Sequence, residues 1–243
     1  MSNRIYNYTS KPKPDSLYTY NYKTLSTPDY YFIPNTCPIL DQDQLGSCVS
    51  NASYATFYIM SNGKIQLSRL QLYFCARGFE KLSLTEDTGL NILGALQTIK
   101  SYGLTDEVNW PYVIKNFANL APAPSFTKLY TLNNYSYASV IQDLAHIKEC
   151  LTLNLPILIG VNVYNSFEST SANSTGVIPM PSSNESLLGG HCIALVGYDD
   201  KSGYFKFQNS WGKKWGDKGY GYLPYNYVID PTLTHDLYII HFT

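Results

Sequence analysis

The apolar positions of this 243-residue chain change period near its middle. From Cys48 onward Val49, Ala52, Ala55, Phe57, Ile59 and Met60 recur as one buried helix requires, and Asn62-Gly63 ends the run. Leu70, Leu72, Tyr73 and Phe74 predict a second helix over Ser68 to Arg77. Gly89 introduces a third, Leu90 to Tyr102, which Gly103 closes. After a fourth over Ile141 to Leu153 the pattern shortens to β-branched and aromatic runs. These are Leu155 to Tyr164, His191 to Tyr198, Tyr204 to Gln208, Gly219 to Leu223 and Leu237 to Phe242, with turn residues between them. A helical half followed by an antiparallel β half predicts an α+β fold of two lobes with a site in the cleft between.

Two stretches stand outside that pattern. Residues 1–27 are polar, rich in tyrosine and interrupted by Pro12 and Pro14, which predicts an extended segment, either loose or laid along a groove of the body. The Ser/Thr/Asn-rich stretch Ser166 to Gly190 is too long for a passive connection in a compact domain. The remaining chain divides into a mainly helical lobe over 28–125 and a mainly β lobe over 126–243.

Composition narrows the class of partner. A formal net charge of −1 offers no electrostatic footprint for nucleic acid or for an anionic membrane surface. No run of eighteen apolar residues predicts a membrane span, and the first residues lack the apolar core of a signal peptide, so a cytoplasmic or virion-associated protein, not a classically secreted one, is expected. Five cysteines without a C-x-x-C pair predict no metal site, and reduced thiols.

The candidate chemistry lies in three short segments. In Gln42-Asp43-Gln44-Leu45-Gly46-Ser47-Cys48 a cysteine opens a helix, where free N–H groups and the helix dipole favour a thiolate. Gln42 and the Cys48 N–H are placed to donate to an oxyanion. By itself this run fits a buried, inert thiol better than a reactive one. Gly189-Gly190-His191 sets an imidazole at the start of a strand with open space before it, and the other histidines lack that setting. Asn209-Ser210-Trp211-Gly212 offers a side-chain carbonyl to orient an imidazole and an indole to shield it. Strand alternation turns Cys192 away from the nucleophile.

Together these segments resemble the papain family of cysteine peptidases, in the order Cys, His, Asn, with His191 lying 143 positions after Cys48 (191 minus 48). Leu45-Gly46-Ser47-Cys48-Val49, with Ser68-Arg69-Leu70, Asp87-Thr88-Gly89, Trp110-Pro111-Tyr112, Gly189-Gly190-His191 and Leu223-Pro224-Tyr225, places the resemblance in the compact, disulfide-poor branch of bacteria and large DNA viruses. The resemblance implies a papain-like two-lobe fold with a β-barrel-like second lobe. It implies Cys48 as nucleophile, His191 as general base and acid, Asn209 as its orienter, Gln42 as oxyanion donor and Trp211 as shield. A substrate strand is expected against Gly89 and Leu90 on one side and Gly189 and Gly190 on the other. Because papain relatives carry larger side chains at the positions of Gly189 and Gly190, a roomier pocket, partly walled by Leu90, is expected. The expected protein is a monomeric cysteine-type endopeptidase acting on peptides or proteins without a cofactor, with residues 1–27 as a possible built-in inhibitor. A silent peptide-binding or virion structural member, or an acyl transferase or ligase on the same residues, are the alternatives.

Overall fold

In a computed structural model, residues 4–21, 26–34, 36–127, 129–130 and 135–242 are described. The extended segment expected over 1–27 lies outside the described residues at 1–3 and 22–25.

Helix α1 (Cys48–Met60) is the pivot of the molecule, and all of its residues except Tyr58 and Met60 are buried. A helix buried on nearly every face must have packing on both sides. Tyr54, Ala55 and Ile59 join the core beneath the sheet. Val49, Ala52 and Phe57 join the core among α2 (Arg69–Phe79) and α3 (Ile92–Tyr102). Helices α2 and α3 begin one or two residues later than the apolar period predicts, because Ser68 and Asn91 are spent as caps. Ser68 accepts from Gln71 N and Asn91 from Gly94 N. Gly103, at φ 67°, stops α3.

The sheet draws strands from the whole chain. Strand β1 (Thr19–Tyr20) pairs in parallel with β5 (Tyr135–Val140), and β2 (Tyr30–Phe32) pairs with β7 (Leu187–Asp199). A short separate pair joins β3 (Leu104–Thr105) to β4 (Leu129–Tyr130). Helix α4 (Leu144–Thr152), capped by Asp143, precedes β6 (Ile157–Tyr164), the antiparallel partner of β7. Then come α5 (Thr170–Thr175), β7, β8 (Tyr204–Gln208), β9 (Tyr220–Pro224), α6 (Tyr225–Ile229) and β10 (Thr234–Phe242). The order β1-β5-β10-β6-β7-β8-β9 is open at both ends among the described residues, so the barrel-like expectation is met by an open mixed sheet. Strand β7 starts before His191 and takes both glycines into the sheet. The long polar stretch folds into a 3-10 turn over Asn165–Glu168 followed by α5.

Arg77 ties the helical core to the loop that faces the cleft. It is fully buried, donating to the carbonyls of Tyr73, Ser83, Glu86 and Phe117. Replacement by methionine keeps the volume and strands those carbonyls without a donor. Arg77→Met is expected to lower unfolding stability by about 3 kcal/mol, read as a fall in the urea midpoint.

Candidate functional site

The amino end of α1 opens on β7. Ser47 holds the N-cap position without making a side-chain cap; its hydroxyl is engaged by Tyr112 instead. The backbone N–H groups at the helix start are thus left to the Cys48 sulfur. It also takes a hydrogen bond from the backbone of Cys192, which puts the thiol beside β7 one residue from His191. Gln42 is fixed from three directions. Its N–H donates to Ser210 O at 2.8 Å, its Oε1 accepts from Ser210 Oγ at 2.6 Å, and its Nε2 donates to Leu45 O at 3.1 Å. The residue after Asn209 therefore sets the glutamine.

His191 and Asn209 come together because β7 and β8 are paired, with Ala194 opposite Gln208. His191 Nε2 lies 2.8 Å from Asn209 Oδ1. The Ser210 N–H, also 2.8 Å from Oδ1, fixes which end of the amide faces the ring. An accepting Oδ1 assigns the proton to Nε2 and leaves Nδ1 with a lone pair. That Nδ1 is buried and has no hydrogen-bond partner among the described residues. Trp211 stacks on the imidazole at 4.5 Å and 24°, and is itself braced edge-on by Trp215 and Phe167.

The cleft is filled by the chain's own amino-terminal segment. Tyr8 N donates to Gly190 O and Thr9 N to Leu90 O, and Asn7 bridges Gly190 in parallel. These are the walls expected for a substrate strand, Gly89 and Leu90 opposite Gly189 and Gly190. A Cβ on Gly189 would come within 2.2 Å of Tyr6 O, and one on Gly89 within 2.0 Å of Asn7 O. Asn7 Nδ2 donates to Asp87 O at 2.9 Å, while the Asp87 carboxylate accepts from Gly46 N and from the Tyr73 hydroxyl. Further on, Lys11 pairs with Glu80.

The roomy pocket expected beside Gly190 is occupied by Tyr8, whose hydroxyl donates to Asp236 Oδ2 at 2.5 Å. Its floor needs Gly160, where a Cβ would stand 2.1 Å from the Tyr8 ring. Asp236 reaches the pocket because the pairing of β10 with β6 slips between His235 and Tyr238, at an aspartate with φ 55°. No sequence pattern marks Asp236 or Gly160, while Asp87 stands in the Asp87-Thr88-Gly89 motif without a role read for it there. One expectation fails here: Cys192 is a buried thiol, yet it belongs to the same apolar cluster as Cys48 and Tyr8 and does not face away. The cause is that Cys48 sits beside the backbone of β7, so alternation does not separate the two thiols.

Covering the site sets its electrostatics. Burial pushes the Cys48 thiol up to about 12, against the lowering effect of the backbone N–H groups. The expected stabilisation of a thiolate by the helix end is outweighed in this covered state. Burial likewise pulls His191 down to about 4; the Asn209 bond opposes this, and the positive charge of Arg4 adds to it. Both groups are therefore neutral at pH 7.

A sequence profile described as papain family cysteine protease matches residues 34–231. An uncharacterized peptidase C1-like protein of Acanthamoeba polyphaga mimivirus is 35% identical over 221 residues, 86% of this chain and 71% of that protein. A viral cathepsin of Spodoptera litura multicapsid nucleopolyhedrovirus is 28% identical over 204 residues, 79% of this chain. The match spans 55% of that cathepsin's length. Among solved structures, xylellain, a cysteine protease from Xylella fastidiosa, superposes with a TM-score of 0.90 at 26% identity, over 100% of this chain and 97% of that one.

The raised thiol has a direct readout. In the intact chain, alkylation of Cys48 by iodoacetamide is expected to be slow at pH 7 and still rising at pH 10, followed by mass mapping of the labelled cysteine. A rate already flat above pH 7 would mean that the covered thiol is ionised.

Proposed function

Because the chain belongs to the papain family of cysteine proteases, we propose that it is an endopeptidase whose nucleophile is Cys48 and whose residues 4–9 hold it off until displaced. The observation that carries the reading is the imidazole bound at Nε2 to Asn209, its Nδ1 without a hydrogen-bond partner among the described residues and its face closed by Trp211, on the strand whose next residue, Cys192, meets the thiol at the uncapped end of α1 through its backbone.

With the segment gone, water reaches both groups and the burial effects that keep them neutral are relieved. The helix N–H groups then favour the thiolate, and the proton passes to His191 Nδ1. The Cys48 sulfur attacks the substrate carbonyl carbon, and the resulting oxyanion is held by Gln42 Nε2 and the Cys48 N–H. His191 gives its proton to the leaving nitrogen as the C–N bond breaks, leaving a thioester. Water, losing a proton to His191, attacks the thioester and expels the sulfur. Asn209 holds the ring in register through both proton transfers, and Trp211 keeps water off that bond.

Cleavage within a chain is supported by the path of the segment, which passes the cysteine with residues on either side. Arg4 and Tyr6 lie toward Trp211, while Tyr8 and Thr9 lie toward Gly190 and Leu90. A substrate strand threading the same walls would extend both ways from the scissile bond. The Asp236 pocket supports a large residue with a hydrogen-bond donor at its tip in the acylating half.

Cys48→Ala in the full chain is expected to reduce hydrolysis of a quenched peptide by at least about a thousandfold. Tyr8→Ala removes a buried ring worth about 3 kcal/mol of attachment, and is expected to raise the rate at which a peptidyl vinyl sulfone labels Cys48 by at least about tenfold. Residual turnover in the first variant would refute the nucleophile. An unchanged labelling rate in the second would refute autoinhibition.

A further inference from the structure

On the Trp211 side of the cleft the structure carries a cradle that the catalytic groups do not use. Arg4 Nη1 donates to Glu168 Oε2 at 2.5 Å and to Asn173 Oδ1 at 2.8 Å, and its guanidinium carbon lies 4.1 Å above the Trp211 ring. The three receiving groups are fixed by contacts of their own. Asn173 Nδ2 donates to the carbonyls of Glu168 and Ser169, which forces its Oδ1 outward, and Gly216 N anchors its backbone. Glu168 ends the 3-10 turn whose Phe167 is fully buried against Trp211. A carboxylate, an amide oxygen and an indole face, all held from behind, match the planar fork of an arginine. A lysine ammonium would meet the carboxylate without the stacking.

The chemistry of the cleft says which half of a peptide passes there. His191 must hand its proton to the leaving nitrogen, so the leaving half lies over His191 and its stacked neighbour Trp211. The acylating half lies on the opposite side, along Leu90 and Gly190. Arg4 is therefore a cationic side chain seated where the leaving half of a substrate would run. We propose that Glu168, Asn173 and Trp211 form a leaving-side subsite for an arginine of the substrate, which Arg4 occupies in the covered chain. The proposal rests on the peptidase reading given above. It also gives Arg4 two roles, since the same cation that fills the subsite disfavours the imidazolium of His191.

The test uses the full chain carrying Arg4→Ala, Tyr8→Ala and Cys48→Ala, which vacates both anchors and prevents turnover. Peptides with tyrosine set for the Asp236 pocket carry either arginine or its neutral isostere citrulline at one of the three positions after the scissile bond. Binding is measured by calorimetry. At one position arginine is expected to bind about tenfold more tightly than citrulline, and Glu168→Gln is expected to bring that ratio close to one. Equal binding at all three positions, binding of neither peptide, or a preference that survives Glu168→Gln would each overturn the subsite. The comparison of two peptides on one protein holds even where Glu168→Gln fails to fold. Turnover is read separately with Cys48 restored. Arginine-selective binding without cleavage would refute the peptidase reading and leave the subsite standing.

Discussion

The end of one buried helix governs this molecule. Helix α1 packs against the sheet on one side and the helical core on the other, so its amino terminus has no freedom to move relative to β7. That rigidity places the Cys48 sulfur beside the backbone of Cys192, one residue along β7 from His191. The same constraint leaves the first helical N–H groups uncapped by Ser47, whose hydroxyl is drawn off to Tyr112. A sulfur, its helix end and an imidazole strand are thus fixed by core packing alone, before any loop contributes.

Around that centre the chain spends polar groups on holding other polar groups still. Ser210 sets Gln42 with its hydroxyl and Asn209 with its N–H, so one residue links Gln42 to the amide that meets His191. Asp87 binds the Gly46 N–H two residues before Cys48, and Arg77 fastens the Asp87 loop through the Glu86 carbonyl. The amino-terminal segment is added to this frame with matching chemistry at each step: Arg4 on Glu168, Asn7 on Asp87, Tyr8 on Asp236. Its effect is electrostatic as much as steric. Burial raises the thiol and lowers the imidazole, so both groups of the covered cleft are neutral.

Much of the frame was legible from local signals. The helical period after Cys48 and the stop at Gly103 depend on residues a turn apart, so short windows contain them, whereas the caps Ser68 and Asn91 were read as helix interior because apolar period alone does not separate a cap from the first turn. His191 behind two glycines and Asn209 before Trp211 are also local, and the strand pair β7–β8 brings them together as a consequence of being a hairpin. The strands β1, β2 and β5 were not legible. Strands β1 and β2 are two and three residues long and held by distant partners with little pattern of their own, and β5 is a sheet strand only through its pairing with β1 and β10 from the two ends of the chain.

The sequence by itself determined which residues carry reactive groups and which local elements hold them, because motif spacing and hydrophobic period act over a few residues. Tertiary structure alone decided what those groups face. Tyr8 and Asp236 stand 228 positions apart, and they meet only because a slip in the β10–β6 pairing turns an aspartate into a pocket that Gly160 leaves open. The state of Cys48 belongs to the same class. Its charge depends on complete burial, to which residues distant in the chain contribute, Tyr8 some forty positions earlier among them, and no local pattern encodes that.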